Sequence, residues 1–538
     1  MEKREAIEPA PERMTHRWRT YLPNLLLGAI LLLAAALRLS AIDFALPYVY
    51  HPDEDALVLP AMNIIKTGDF NPLRMDYGSF FLYLMAFVHL LVFLWSARSG
   101  GIREADQLVI PERGWYPGIY PHPEYVLAGR LLSVAFGLFL VILVYMLATR
   151  LGNRRMGLAA AAVAAVLPEF VVHSHYAMTD MALATMVALS LYLLLRAYDN
   201  WESDSAWAYV GAGFVCGLAA STKFTGALLV VPLLLVPLLR VRRLDDVLRL
   251  RVIGGPLAMG AGFLAATPYA VLDMPKFIRF TAYVLTVYNN PGYEALGSTW
   301  RWTLNYLFTD RNAALAYPAA AGLIISLFRW GRRGWIVNSF ALLMLLTALT
   351  TGIRESRTWM PLAPVACVWV SLLLETILGW LRRRRPGRRD EHALVYGLAL
   401  LLILLTLFDR SLVATENLRG PDVRTAVQEW IETNVPHGSH IAFDRFPPYV
   451  DPAIWPVTLN FGHYNQSLDD YRERGVRFVI GSDIIQNLDR LSAEHAAQWQ
   501  AMTDELCHVA TFTGPILAAS DLTFWGYEMP PCTLAPSP

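Results

Sequence analysis

The stretch YLPNLLLGAILLLAAALRLSAIDFALPYVYHPDED, residues 21–55, joins a long apolar run to a compact group of ionisable side chains. Its first part, residues 21–41, is long enough to cross a bilayer as a helix, which takes about 20 apolar residues. Its last part, residues 51–55, holds three carboxylates and an imidazole where the chain leaves the bilayer. Ionisable groups at the edge of a membrane domain cost solvation free energy, which makes them candidates for function. A solvated acidic loop is the plainer alternative.

The composition indicates a polytopic membrane protein. Of the 538 residues, 55% are hydrophobic and 17% are charged, whereas soluble domains carry about 25% charged residues. The formal net charge is zero, so no bulk attraction to nucleic acid is indicated and no nucleic-acid partner is expected. The basic residues before residue 21 and the lack of a small-residue cleavage site after the run are typical of a signal anchor.

Charge placement predicts how the apolar runs cross the membrane. Clusters of arginine mark the cytoplasmic side, and an even number of crossings must separate them. This holds between the N-terminus and Arg150 only if the run at residues 79–96 lies along the outer interface. The acidic stretch at residues 196–204 fits this topology less well. We therefore expect about eleven transmembrane helices, with the N-terminus cytoplasmic and the C-terminus outside. Their predicted positions are 21–41, 125–149, 156–172, 178–195, 206–220, 224–239, 252–270, 314–328, 335–350, 359–380 and 392–408.

The predicted fold class is mainly α, a polytopic membrane protein with a small α/β domain at its C-terminus. Residues 1–20 are a cytoplasmic tail, and residues 21–412 are the transmembrane domain, with a large first outer loop at 42–124. Residues 413–538 form the extracytoplasmic domain, since helix-like and strand-like patterns alternate there. Cys507 and Cys532 fall in this last part and are able to form a disulfide in an oxidising compartment. The sequence leaves that pairing open.

Acidic side chains recur in the predicted outer loops. Asp53 and Glu54 precede a helical pattern, and a helix N-terminus favours ionised carboxylates. Asp76 and Tyr77 lie further along the same loop. Asp180 opens a span, where the structural alternative is a helix cap that stabilises by about 1 kcal/mol.

Basic side chains also occur on the predicted outer face. Lys223 follows one span, and Arg354 and Arg357 precede another. A lone cation at the end of a span often only extends to the interface, but positive charge on this face runs against the usual topology. Together these cations predict an anion site at the depth of the lipid headgroups, suited to phosphate. Carboxylates beside such a site indicate transfer of a group from a lipid phosphate.

In layout and motifs the chain resembles the GT-C glycosyltransferases, which use polyprenyl-phosphate-linked sugars. It is similar in particular to the protein O-mannosyltransferases and the lipid A aminoarabinose transferases. The resemblance covers about residues 20–380 and lies in an ordered set of motifs. These are the acidic pair Asp53-Glu54, the span-opening Asp180, the segment Thr222-Lys223-Phe224-Thr225-Gly226, the pair Arg357 and Pro361 with Thr358 in place of an aromatic residue, and residues 267–273.

The resemblance implies an inverting displacement at the anomeric carbon of the sugar. Asp53 would be the general base, with Glu54 and Asp180 as further catalytic carboxylates that orient hydroxyl groups. The leaving polyprenyl phosphate would be stabilised by positive charge. Substrate contacts are expected from His51, Asp76, Tyr77, His175, Lys223, Arg354 and Arg357.

Cofactor, partners and location follow from the same resemblance. His51, His173 and His175 are candidate ligands for a divalent metal ion, and the metal is left undecided. The expected partners are a polyprenyl-phosphate-linked sugar donor, membrane lipid, and a protein, lipid or glycan acceptor. The expected location is the plasma (inner) membrane of a prokaryote.

Two other functions remain open at this point. One is a transporter or flippase of a lipid-linked or polar solute, although such proteins tend to place polar residues in the middle of broken helices and to show internal repeats. The other is a scaffold whose outer domain binds a partner. Convergence of Asp53, Asp180, Lys223 and Arg357 on one cavity would favour the enzyme.

Overall fold

The computed structural model describes residues 11–72, 74–111, 118–202, 206–240, 250–289, 299–309, 312–352, 354–444, 446–460, 462–463, 466–483, 493–518 and 521–534. The helices are α1 (Pro11–Leu39), α2 (Asp55–Thr67), α3 (Phe80–Ser99), α4 (Pro123–Leu151), α5 (Arg154–Val166), α6 (Pro168–His173), α7 (Thr179–Asp199), α8 (Ala206–Thr222), α9 (Val230–Leu238), α10 (Leu250–Ala266), α11 (Tyr269–Leu272), α12 (Met274–Asn289), α13 (Thr299–Phe308), α14 (Ala313–Arg329), α15 (Gly331–Thr350), α16 (Ala363–Arg384), α17 (Arg389–Arg419), α18 (Val423–Asn434), α19 (Leu468–Glu473) and α20 (Ala493–Glu505). The strands are β1 (Tyr48–Val49), β2 (Gly118–Ile119), β3 (His440–Phe443), β4 (Val457–Leu459), β5 (Val476–Ser482), β6 (Cys507–Pro515) and β7 (Asp521–Glu528).

Apolar helices form the larger part of the molecule. Within the described residues, 7 helices are long and apolar enough to cross a membrane, or 8 if the bent pair α13–α14 counts as one span. Shorter apolar helices occur at Ala206–Thr222, Phe224–Leu238 and Val252–Ala266. Each of the apolar runs predicted to cross coincides with one of these helices or with the α5–α6 pair. Helix α3 is itself long and apolar enough to span, and its predicted place along the interface stays a prediction.

A break separates α5 from α6 ahead of the start of α7. Pro168 lacks an amide hydrogen and disfavours helical backbone in the residue before it. Leu167 accordingly adopts extended dihedral angles, φ −70° and ψ 121°. After α6 a short connection leads directly into α7, and this places Asp180 in the first turn of that helix.

At the opposite end of the bundle, the acidic stretch that fitted the topology poorly is paired with arginines. Asp199, the last residue of α7, forms ion pairs with Arg150 at 2.9 Å and with Arg333 at 2.7 Å. Arg240 donates to the carbonyl oxygen of Tyr198 at 2.7 Å. Asp199 therefore joins two basic segments at this end, and the neighbouring carbonyl group binds a third, which accounts for the position of this acid among arginines.

The C-terminal part contains a five-stranded sheet with strand order β4-β3-β5-β7-β6. Strand β3 runs parallel to β4 and β5, whereas β7 runs antiparallel to β5 and β6. A disulfide joins Cys507 to Cys532, with their Cα atoms 6.1 Å apart. The expected α/β fold of this part is confirmed. The predicted boundary at residues 412/413 falls inside α17, which continues to Arg419.

Candidate active site

The first element of the site is an ion pair between the first loop and a late segment of the chain. Asp53 lies just before α2, and Arg357 lies in a 3-10 turn at Ser356–Trp359. Arg357 Nη1 donates to Asp53 Oδ2, and its Nε donates to Glu355. The side chains of Asp53 and Arg357 keep exposed fractions of 31% and 24%. The pair is therefore partly exposed.

Arg357 governs the charge state of Asp53. Burial raises the pKa of the Asp53 carboxyl, but the positive charge of Arg357, with a further contribution from His51, outweighs burial and holds that pKa below its usual value. Burial lowers the pKa of Arg357, while Asp53 and Glu355 raise it well above its usual value. Both members of the pair are thus ionised at neutral pH.

A second ion pair joins two helix ends. Lys223, the residue after α8, donates to Asp180 Oδ1 at 2.9 Å. Asp180 is only 1% exposed, and its Oδ2 has no hydrogen-bond partner within the part of the chain that the structure describes. Lys223 Nζ also lies 5.9 Å from the centre of the Tyr77 ring. An acid buried this deeply is retained because the lysine compensates its charge.

The two ion pairs converge on one cleft. Arg357 lies close enough to Asp180 to interact with it electrostatically. The cleft is lined by two basic side chains, Lys223 and Arg357, and by two hydroxyl-bearing ones, Thr225 and Thr358. Its lining residues are Leu183, Lys223, Thr225, Met344, Glu355, Arg357, Thr358 and Pro361. Lys223 and Arg357 line this cleft, and Asp180 and Asp53 are their ion-pair partners. The four predicted side chains therefore lie close together.

Close packing of three segments brings the first loop to Lys223. The Oγ of Ser221 lies 2.6 Å from Thr267 Oγ1, which also accepts a hydrogen bond from the Ser79 amide at 3.2 Å. A Cβ atom on Gly78 would lie 2.1 Å from the carbonyl oxygen of Ser221. Only glycine allows the loop to approach the end of α8 this closely.

Two further predicted residues border the pairs. His51 Nδ1 accepts a hydrogen bond from the Asp53 amide at 3.3 Å, and its ring packs 4.3 Å from that of Tyr176. Burial lowers the pKa of His51 despite the nearby carboxylates, so its imidazole is neutral at neutral pH and becomes charged only at lower pH. Burial raises the pKa of Tyr77, which lies near Lys223 and Asp53. Its phenol therefore stays protonated and able to donate.

Glu54 turns away from the cleft. Its side chain is fully buried, and its two carboxylate oxygens accept hydrogen bonds from Arg130 Nε and Nη2 at 2.9 and 3.0 Å. It also accepts a hydrogen bond from the Ala177 amide at 2.9 Å. Arg130 in turn donates to the carbonyl oxygens of Ile42 and Phe44. These contacts join the first loop to α4 and to the α6–α7 connection, so direct action on a substrate does not fit the position of Glu54.

Asp76 and Arg354 lie beside the cleft. Asp76 is held by Arg74, which donates from Nε at 2.8 Å and also from Nη2. It lines a neighbouring small cavity together with Tyr77. Arg354 is half-buried, three residues before Arg357. Their predicted contacts with substrate stay predictions.

The predicted binding role of His175 does not fit the structure. His175 is fully buried, and its two ring nitrogens lie 2.8 and 2.7 Å from the carbonyl oxygens of Val171 and Ser40. Neither nitrogen is available to a substrate or a metal ion. His173 is also buried. Among the described residues, no three His, Cys, Asp or Glu side chains gather so as to hold a metal ion.

Sequence reasoning missed two residues that shape the site. Arg130 stands inside an apolar run, and an ionised residue within a span is a signal that was available. Glu355 lies between the two arginines that were singled out, but adjacent charges in a loop do not reveal which of them pair.

Comparison with known proteins gives one family match. Residues 115–284 match the family of dolichyl-phosphate-mannose-protein mannosyltransferases. The matched segment runs from before α4 into α12 and includes Asp180 and Lys223. No curated protein matches the chain by sequence.

Solved structures resemble the chain over most of its length. AglB, an archaeal oligosaccharyltransferase from Archaeoglobus fulgidus solved with an inhibitory peptide and a dolichol-phosphate, has a TM-score of 0.53 at 13% identity, covering 91% of this chain and 73% of that one. ArnT from Cupriavidus metallidurans bound to undecaprenyl phosphate has a TM-score of 0.52 at 13% identity, covering 93% and 97%. An A. fulgidus oligosaccharyltransferase in complex with Zn and sulfate has a TM-score of 0.50 at 13% identity, covering 94% and 73%.

Identities this low establish likeness of fold alone. The fold is that of the GT-C membrane glycosyltransferases, as the motifs predicted. The family match over residues 115–284 agrees with the predicted enzyme class, a glycosyltransferase.

Proposed function

We propose that the protein transfers a sugar from a polyprenyl-phosphate carrier to an acceptor hydroxyl, with inversion, at the extracytoplasmic face of the membrane. The observation that carries this proposal is the meeting of the Asp53–Arg357 and Asp180–Lys223 pairs at one cleft. A general base and a phosphate site are the two things that this displacement requires.

Lys223 and Arg357 are the proposed phosphate ligands. They come from different parts of the chain and line the same cleft. Charge-assisted hydrogen bonds from both would neutralise the phosphate as it leaves with the electron pair of the broken bond. Because the phosphate departs as a stable anion, no acid catalyst is needed.

Asp53 is the proposed general base. In a single displacement one carboxylate takes the acceptor proton while the acceptor oxygen attacks the anomeric carbon. Without a donor, Arg357 keeps Asp53 ionised but weakly basic. A donor phosphate that draws Arg357 away would let burial raise the pKa of Asp53. The carboxylate then becomes a stronger base when the substrate is in place.

Asp180 and Tyr77 are the proposed orienting groups. The Oδ2 atom of Asp180 is buried without a hydrogen-bond partner among the described residues, so it can accept from a sugar or acceptor hydroxyl. The protonated phenol of Tyr77 lies beside Lys223 and can donate. We assign Glu54 to positioning the first loop, and no step is routed through a metal ion.

Charge distribution supports the proposed sidedness. Clusters of arginine mark a cytoplasmic side, and among the described residues Arg150, Arg240 and Arg333 lie at the end of α7 opposite to Asp180. The Cys507–Cys532 disulfide would persist in an oxidising compartment. The site and the C-terminal domain would then face outward, in the plasma membrane of a prokaryote.

The charged groups also weigh against a transporter. Asp180, Lys223 and Arg357 lie at the ends of helices, whereas transporters bind their solutes near the middle of discontinuous helices. The lipid phosphates bound to AglB and ArnT support a lipid-phosphate donor here. We propose a protein hydroxyl as the first acceptor to test, because the matched family is named for protein mannosyl transfer.

The test is a panel of polyprenyl-phosphate sugars, incubated with purified protein and a hydroxyl-bearing peptide, lipid or glycan acceptor. We expect at least one donor to release free polyprenyl phosphate in an acceptor-dependent way. Movement of intact lipid-linked sugar across a vesicle membrane, without release of the phosphate, would instead indicate a flippase.

A further inference from the structure

The C-terminal domain contacts the first loop just ahead of Asp53. Helix α18 places Arg424 against Tyr50, with the guanidinium carbon 3.9 Å from the centre of the tyrosine ring. Arg424 Nη1 also donates to the carbonyl oxygen of Tyr50 at 3.2 Å. Arg424 is fully buried. A buried arginine requires a compensating partner, and the structure supplies one.

Asp422 fixes Arg424 in this position. Its two carboxylate oxygens accept from Arg424 Nε and Nη2, both at 2.7 Å. Asp422 Oδ1 accepts the Arg424 amide at 3.0 Å as the N-cap of α18, and Oδ2 accepts the Leu517 amide at 3.0 Å. The Asp422 carboxylate that binds the guanidinium is thus itself fixed by two separate segments of the C-terminal domain. A planar, bidentate contact of this kind restrains orientation more strongly than a lysine would.

Tyr50 is linked to the proposed base by a short, restrained stretch of chain. Its carbonyl group belongs to the peptide bond of His51, whose ring accepts the Asp53 amide. Asp53 then reaches Arg357, which stands at the entrance to α16 in the transmembrane domain. Asp53 is therefore linked to the C-terminal domain through residues 50–52, whereas Arg357 belongs to the membrane helices.

We propose that Arg424 is a positioning residue for Asp53, and that the C-terminal domain is thereby a working part of the active site. This inference rests on the proposed function. The Asp422–Arg424 pair sets the position of residues 50–53, so its loss lets Asp53 move away from Arg357 and from the acceptor hydroxyl. Misplacement of a reacting group by about 1 Å can lower the rate about 100-fold.

The test compares Arg424→Lys and Arg424→Met with wild type in steady-state transfer assays. We expect kcat to fall about 10- to 100-fold, with Met more severe than Lys, while the donor KM changes less than about twofold. We also expect the acid limb of kcat/KM to move to higher pH, since burial raises the pKa of Asp53 once Arg357 is further away. A purely structural role would lower the amount of folded protein without moving this limb.

Arg477→Met is the matched control. Arg477 donates to Glu528 at 3.2 Å and to Thr533 at 2.8 Å within the same domain. Its loss should leave kcat and the pH profile unchanged. Arg424→Lys retains the positive charge, so it is the variant expected to fold if Arg424→Met does not.

Two outcomes separate this inference from the proposed function. Folded Arg424→Lys and Arg424→Met proteins with wild-type kcat and pH profile would overturn the positioning role, even if Asp53→Asn is inactive. An active Asp53→Asn protein would overturn the proposed base, whatever Arg424 does.

Discussion

Asp53 and Glu54 are neighbours in the chain, yet the structure gives them opposite surroundings. Asp53 is partly exposed and pairs with Arg357 from a segment 304 residues away. Glu54 points into the protein and is enclosed with Arg130, both at 0% exposure. The first pair can open when a charged ligand arrives, whereas the second cannot open without leaving a charge buried. Exposure and partner, rather than residue type, thus separate a candidate base from a structural acid.

The largest effect is expected on the Asp53 side of this comparison. Asp53→Asn removes the proposed base and should lower kcat about 10²- to 10⁴-fold in the phosphate-release assay. Asp69→Asn, an exposed acid in the same loop whose carboxylate accepts the Asn71 amide, serves as the control and should keep wild-type turnover. Equal turnover of Asp53→Asn and wild type would remove Asp53 as the base.

Substitution of Glu54 should lower the stability of the protein rather than impair the chemical step directly. Glu54→Gln leaves Arg130 buried without its full counter-charge, a change that costs about 3–5 kcal/mol in other proteins. We expect a lower thermal midpoint and less folded protein in detergent. Glu54→Gln combined with Arg130→Met should recover part of the loss, because no charge is then stranded. A stable but inactive Glu54→Gln protein would place Glu54 in the chemistry instead.

The cations of the cleft should act mainly on the donor. Lys223→Met and Arg357→Gln each remove a charged hydrogen bond, typically about 1.5–3 kcal/mol, which corresponds to about 10- to 100-fold weaker donor binding. Lys223→Met also leaves the buried Asp180 carboxylate without its counter-charge, so donor binding is measured on the folded fraction. Lys276→Met is a suitable control, since Lys276 donates to the Pro72 carbonyl at 3.0 Å and is not among the cleft residues. Donor dependence that stays unchanged in both cleft variants would argue against a phosphate site.

The smallest effect concerns the pH profile. Arg357 lowers the pKa of Asp53 against the opposing effect of burial, so Asp53 in the wild type is ionised well into the acid range. In Arg357→Gln, the main charge that opposes burial is lost and the pKa of Asp53 rises, so activity should be lost at a higher pH as the solution is acidified. A shift of about one unit or more in the acid limb of kcat/KM is expected. An unmoved limb would show that Arg357 does not set the charge state of Asp53.

The apolar helices and the convergence of Asp53, Asp180, Lys223 and Arg357 could be predicted from the sequence. Hydrophobic runs report spans directly, because every backbone polar group in a bilayer must be paired within the segment. The four site residues were recognisable because their charges stand at the ends of runs on one expected face.

The surroundings of Glu54 and His175 could not be predicted in the same way. Glu54 pairs with Arg130, 76 residues later, and His175 lies against the carbonyl oxygen of Ser40, 135 residues earlier. Such contacts depend on how the helices pack against one another, and local sequence patterns do not predict that packing. Asp199 is a similar case, since its negative charge is paired with Arg150 and Arg333, which belong to other parts of the chain.

The most direct measurement follows polyprenyl-phosphate binding and sugar transfer on the same Asp53→Asn protein. Asparagine removes one of the two carboxylates that pair with Arg357, and Glu355 remains. The variant should therefore bind polyprenyl phosphate at least as tightly as wild type while its turnover is lost. Weaker binding together with retained turnover would contradict the assignment of Asp53 as the base and of Arg357 as a ligand of the phosphate.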